Sequence, residues 1–122
     1  MRGPACAAVD DLGFHDLPVT QEGTLRSAIL TPALSELASS GILLGADYYV
    51  NPICTPTRTS LLSGMYPRNV GLNHGVILDA MPNGLPLNLT TVAQRFKAAG
   101  YSTNMVGKWH LGEPAASGAQ LA

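Results

Sequence analysis

The chain has 122 residues, 46% of them hydrophobic and 12% charged, with a formal net charge of −1. That length bounds the fold to one domain, and that apolar content excludes a chain that stays disordered. The near-neutral charge gives no electrostatic reason to expect nucleic acid or an anionic membrane surface as partner, and no apolar run is long enough to span a bilayer.

Met1 to Val9 holds one positive side chain and several small residues, then runs directly into Asp10-Asp11. That leaves no room for an apolar core and cleavage site, so no signal peptide is read. Ala5 to Val9 is predicted as a short buried strand ending at Asp10. Gly13 to Arg26 has no clear period and reads as loop. Thr31 has the place of an N-cap, with Pro32 at the first helical position. Leu34, Leu37 and Ala38 share one face of that helix, and Gly41 suits its end.

Ile42 to Val50 is rich in aliphatic and aromatic residues and is predicted as a strand, broken by Asn51-Pro52. A short helix is predicted over Pro56 to Ser63. Asn69 to Leu87 is irregular, with three glycines and two prolines. Thr91-Val92-Ala93-Gln94 has capping-box form, and the helix behind it presents Val92, Phe96 and Ala99 before Gly100 stops it. Tyr101 to Val106 is predicted as a strand. Glu113 to Ala122 is small and featureless and is expected to fray. The expectation is a domain over 1–112 with a disordered tail over 113–122. Strands alternating with helices argue an α/β layer architecture.

Three places carry chemistry. Adjacent residues on a strand point to opposite faces, so Asp10 and Asp11 converge only if the backbone turns, and Gly13 supplies freedom to turn. Converging carboxylates repel, and a hard divalent cation relieves the repulsion. Taken alone, such a pair is most often a solvated acidic turn.

Cys54 precedes a predicted helix start, where free N–H groups and the helix dipole favour an anion. Arg58 stands one turn on along the same face, and its fork of donors suits an oxyanion. Pro56 pre-sets the helical φ. Cys54 by itself reads first as a small buried hydrophobe, the usual fate of a free cysteine, and second as a thiolate nucleophile. Lys108 and His110 are two apart, so on an extended segment they share one face and Trp109 turns the other way. Alone, they read as a surface lysine beside a half-buried histidine. His74 reads as an ordinary loop histidine, with a place near a substrate mouth as the alternative, and His15 and Asp16, which follow the acidic pair, are assigned no role. Asn88-Leu89-Thr90 is a glycosylation sequon and also the approach to a helix cap.

Together, Asp10-Asp11-Leu12-Gly13, then Cys54-Thr55-Pro56-Thr57-Arg58 with Thr59-Ser60-Leu61-Leu62-Ser63-Gly64, then Gly100 to Gly112 with Gly107-Lys108-Trp109-His110-Leu111-Gly112, resemble the N-terminal part of the sulfatase family. Within it the arylsulfatase B type is the nearest likeness. The resemblance runs from about Val9 to Gly112.

It implies part of an alkaline-phosphatase-like α/β sandwich, an incomplete mixed sheet flanked by helices. It implies that Cys54 is oxidised to formylglycine by a formylglycine-generating enzyme that reads the Cys-x-Pro-x-Arg run. Thr57 departs from the serine or alanine usual at its position. By the same resemblance Asp10, Asp11 and the Cys54-derived group ligate Ca²⁺, or Mg²⁺. Arg58, Lys108 and His110 then serve catalysis, and the substrate is a sulfate ester.

The implied reaction is sulfuric-ester hydrolysis. The alternatives are a phosphonate or phosphate monoester hydrolase of the same superfold, or a non-catalytic remnant. Full-length sulfatases are longer and supply further ligands, so the chain reads as a fragment that is inactive or weakly active alone. Family members are lysosomal, secreted or periplasmic. With no signal peptide read, localisation stays open.

Overall fold

The computed structural model describes residues 3–13, 15–20, 29–45, 48–79 and 81–112. They belong to two compact units, Met1–Tyr48 and Tyr49–Ala122.

In the first unit a 3-10 turn, Pro18–Thr20, packs against α1, Pro32–Ser40. The helix starts at Pro32 as predicted, but Thr31 does not cap it. Its backbone (φ −128, ψ 66) lies outside the extended region that aims a capping hydroxyl at the first turn. The Thr31 hydroxyl is instead buried without a hydrogen-bond partner among the described residues. No residue of α1 is buried, and Leu34 and Leu37 face outward.

The second unit holds α2 (Cys54–Ser63), a 3-10 turn (Pro67–Val70) and α3 (Val92–Ala98). α2 begins at Cys54, two residues before the predicted start. Pro56 therefore sits inside the first turn, where its missing N–H has no helical acceptor to lose. The helix ends at Gly64, whose left-handed backbone (φ 68) lets its N–H reach the Ser60 carbonyl at 2.8 Å. α2 packs against both the 3-10 turn and α3. It buries Thr55, Pro56 and Thr59 rather than leucines, and the apolar core beside it is Leu72, Ile77 and Leu111.

α3 carries both halves of its capping box: Gln94 N–H donates to Thr91 Oγ1, and Thr91 N–H donates to Gln94 Oε1 at 2.7 Å. Its end is a Schellman motif. Gly100 N–H donates to the Lys97 carbonyl and Tyr101 N–H to the Phe96 carbonyl, both at 3.0 Å. The Phe96 and Tyr101 rings then meet edge to face, 5.4 Å apart. Further on, Leu85 N–H bonds the Leu111 carbonyl and Trp109 Nε1–H bonds the Gly112 carbonyl. Gly112 is needed there. A Cβ at this position would lie 2.4 Å from the Asn83 carbonyl oxygen, and its φ is 80.

No strand, and so no part of the expected mixed sheet, is present among the described residues. The predicted strands Ala5–Val9, Ile42–Val50 and Tyr101–Val106 have the residue types of strands, but a strand exists only where a neighbour completes its ladder. Their large side chains stand in solvent, Ile42 at 89% and Val106 at 94% exposure. Ala46, Asp47 and the predicted tail 113–122 lie outside the described residues. No helix among the described residues is long and apolar enough to cross a membrane.

Candidate active site

Asp10 and Asp11 belong to the first unit, on an exposed turn. The turn is made differently from the expectation. Asp11 itself takes the left-handed conformation (φ 56), which aspartate tolerates better than most side chains. Gly13 serves a close approach instead. Its N–H donates to Asp16 Oδ2 at 2.7 Å, and a Cβ on Gly13 would sit 2.8 Å from that oxygen. Two carboxylates side by side suit a hard divalent cation in chemical kind. Among the described residues, no three His, Cys, Asp or Glu side chains gather into a group able to hold a metal.

Cys54, Arg58, Lys108 and His110 belong to the second unit, where the start of α2 is stitched to the segment 108–110. Lys108 Nζ donates to Cys54 Sγ at 3.2 Å. Arg58, one turn along α2, donates Nη1–H to the Lys108 backbone carbonyl. Thr55 Oγ1 donates to the His110 carbonyl at 2.8 Å and accepts from Ile77 N–H at 3.1 Å. Thr55 is fully buried, and its own carbonyl accepts from Thr59 Oγ1 at 2.8 Å. Two long loops are thus tied to one helical turn. An anion at position 54 would meet the Lys108 ammonium at the positive end of α2.

Lys108 and His110 do not follow strand alternation. Gly107 (φ 124) and His110 (φ 53) both leave the extended region, so spacing by two no longer fixes a shared face. His110 lines an open pocket of about 180 Å³ with Ile77, Asp79, Met81 and Trp109. Its Nδ1 is buried without a hydrogen-bond partner among the described residues. A non-glycine residue held at positive φ with a buried, unanswered ring nitrogen is a strained arrangement, of the kind associated with sites that meet a ligand. The structure therefore brings Cys54 and Lys108 into contact, ties Arg58 and His110 to the same frame through backbone, and leaves the His110 ring beside the pocket.

Thr55 is the residue that sequence reasoning passed over. The signal was available: Thr55, Thr57 and Thr59 fall within one short helix, where hydroxyl residues are poor formers unless their oxygens have work elsewhere. Two of the three bridge to other segments, since Thr57 Oγ1 donates to the Asn51 carbonyl at 2.8 Å.

Residues 8–119 match the family model described as Sulfatase. The chain is 48% identical over 103 residues to arylsulfatase J of Mus musculus, covering 84% of this chain and 16% of that protein. It is 42% identical to steryl-sulfatase of Rattus norvegicus over 108 residues, covering 84% of this chain and 18% of the relative. It is also 42% identical to arylsulfatase A of Homo sapiens over 104 residues, covering 84% and 20%. The chain thus spans about one sixth to one fifth of the length of these curated relatives. No solved structure matches it.

Proposed function

The chain belongs to the sulfatase family, and on that premise we propose that it carries part of a sulfuric-ester hydrolase site centred on position 54. The observation that carries the reading is the Lys108 Nζ to Cys54 Sγ contact of 3.2 Å at the start of α2. The thiol sulfur there stands in for an oxygen of the formylglycine that a formylglycine-generating enzyme would make from Cys54. Such a group, hydrated, supplies the oxygen nucleophile toward sulfur and a route for sulfate to leave. Lys108 holds that oxygen and the sulfate oxygens by a charge-assisted hydrogen bond. Arg58 orients Lys108 through its backbone carbonyl and adds positive charge one turn from the reacting position. His110, whose Nδ1 has no hydrogen-bond partner among the described residues, is the group that hydrogen-bonds at the pocket.

Asp10 and Asp11 are proposed to hold a divalent cation, Ca²⁺ or Mg²⁺, through carboxylate oxygens. The segments Ala5–Val9, Ile42–Val50 and Tyr101–Val106 are proposed as strands of the family's α/β sheet when neighbours pair with them, with the domain spanning 1–112. The proposed substrate class is a sulfate ester.

The test is co-expression of the chain with a formylglycine-generating enzyme. Peptide mass spectrometry and hydrazide labelling should find an aldehyde at position 54, and none in Cys54→Ser. An unmodified thiol under those conditions overturns the proposal. Paired aryl sulfate and aryl phosphate assays on the matured chain then read the substrate class. Turnover of the phosphate alone would reassign it.

A further inference from the structure

We propose that Asn88 is a site of N-linked glycosylation. Asn88-Leu89-Thr90 is the one Asn-x-Ser/Thr triplet in the chain with x other than proline. A triplet of this kind occurs often by chance, so the argument rests on where the fold puts it.

It lies on a reverse turn just before α3, closed by the Leu89 N–H donating to the Pro86 carbonyl at 3.0 Å. Asn88 and Thr90 are both exposed. No hydrogen bond engages the Asn88 amide among the described residues, so its nitrogen can be presented without breaking a side-chain contact. Thr90 is equally available. The sequence makes this triplet double as the approach to a helix cap, but the cap is Thr91, which closes its box with Gln94. The Thr90 hydroxyl, the group that distinguishes a sequon from any other asparagine, is left outside that box. Opening the turn breaks one backbone hydrogen bond, from Leu89 N–H to the Pro86 carbonyl. An acceptor site needs this combination: a surface turn, a disengaged amide and a disengaged hydroxyl two residues on.

The co-reactant is a lipid-pyrophosphate-linked oligosaccharide. Asn88 Nδ2 forms a bond to the anomeric carbon of its first N-acetylhexosamine. The bond from that carbon to the pyrophosphate oxygen breaks, the lipid pyrophosphate leaves with the electron pair, and the amide gives up one proton.

The experiment treats the purified, native full chain with a purified single-subunit oligosaccharyltransferase and its lipid-linked donor. The expected result is a mass shift of one oligosaccharide per chain, mapped to Asn88 by peptide mass spectrometry. Asn88→Gln and Thr90→Ala should lose the shift and Thr90→Ser should keep it. The proposal is overturned if the native chain stays unmodified while the enzyme glycosylates an unrelated Asn-x-Thr peptide in the same tube. It is equally overturned if Thr90→Ala is modified as well as the parent.

Discussion

The unit Met1–Tyr48 and the unit Tyr49–Ala122 hold their chemical residues by different means. In the first, Asp10 and Asp11 ride on an exposed turn, and the hydrogen bonds between Gly13 and Asp16 that follow it join near neighbours. Its helix, α1, buries no residue. In the second, bonds reach more than 50 residues along the chain, from Thr55 to His110 and from Lys108 to Cys54. A local turn closes at small entropic cost. A long-range tie costs more to close and persists only where buried contacts outweigh that cost. The second unit supplies them through Leu72, Ile77 and Leu111. Geometry at position 54 is therefore set by packing and long-range ties, whereas Asp10 and Asp11 sit on an exposed turn in which Asp11 is left-handed.

The largest expected effect tests the packed side of that contrast. Leu111 is 1% exposed, and Leu111→Ala should cost about 2–5 kcal/mol by urea denaturation. It should also loosen His110, its neighbour in sequence. A cost under about 1 kcal/mol would mean that the second unit is no better packed than the first.

Next comes the tie itself. Thr55→Val keeps the shape but removes the donor to the His110 carbonyl and the acceptor for Ile77 N–H. Two buried backbone groups lose their partner, so the expected cost is roughly 2 kcal/mol or more. Thr55→Ser should restore most of it. If Thr55→Val and Thr55→Ser behave alike, the hydroxyl bonds are not what joins α2 to the 108–110 segment.

Legibility in the sequence followed the same divide between local and long-range interactions. The capping box of α3 and its glycine stop were readable because every group involved lies within a few residues of its partner. The Cys54 and Lys108 motifs were readable as residue types. Their meeting in one pocket is implied by the family resemblance alone, because nothing local records a bond across 54 positions. The expected strands are unpaired among the described residues for a related reason. Ile42–Val50 and Tyr101–Val106 have the apolar and branched residues of strands, but pairing is a property of two segments. The start of α2 was placed late because Pro56 was read as the first helical residue, although proline is tolerated throughout the first turn. Thr55 went unnoticed because its role exists only where His110 and Ile77 converge on it.

Smaller effects test the turn. Asp11 pays a conformational cost for its positive φ, and Asp11→Gly removes that cost together with a carboxylate. The expected outcome is a stability change within about 1 kcal/mol, tending to a gain, alongside a loss of Ca²⁺ affinity in equilibrium dialysis. Unchanged Ca²⁺ binding would remove Asp11 from the proposed cation site. A large loss of stability would show that the Asp11 side chain is a structural anchor and that the first unit is less locally built than described.

The smallest effect is expected at Leu37, which is 67% exposed on α1. Its side chain gives up little solvent contact on folding, and alanine is the better helix former, so the two terms oppose each other. Leu37→Ala should change stability by no more than about 0.5 kcal/mol, an order of magnitude below the upper end for Leu111→Ala. The comparison is decisive because both substitutions delete the same atoms, and only the surroundings differ. A cost for Leu37→Ala that approaches that of Leu111→Ala would mean that the outward face of α1 is covered in solution. The first unit would then hold α1 by a further contact beyond the one with the Pro18–Thr20 turn.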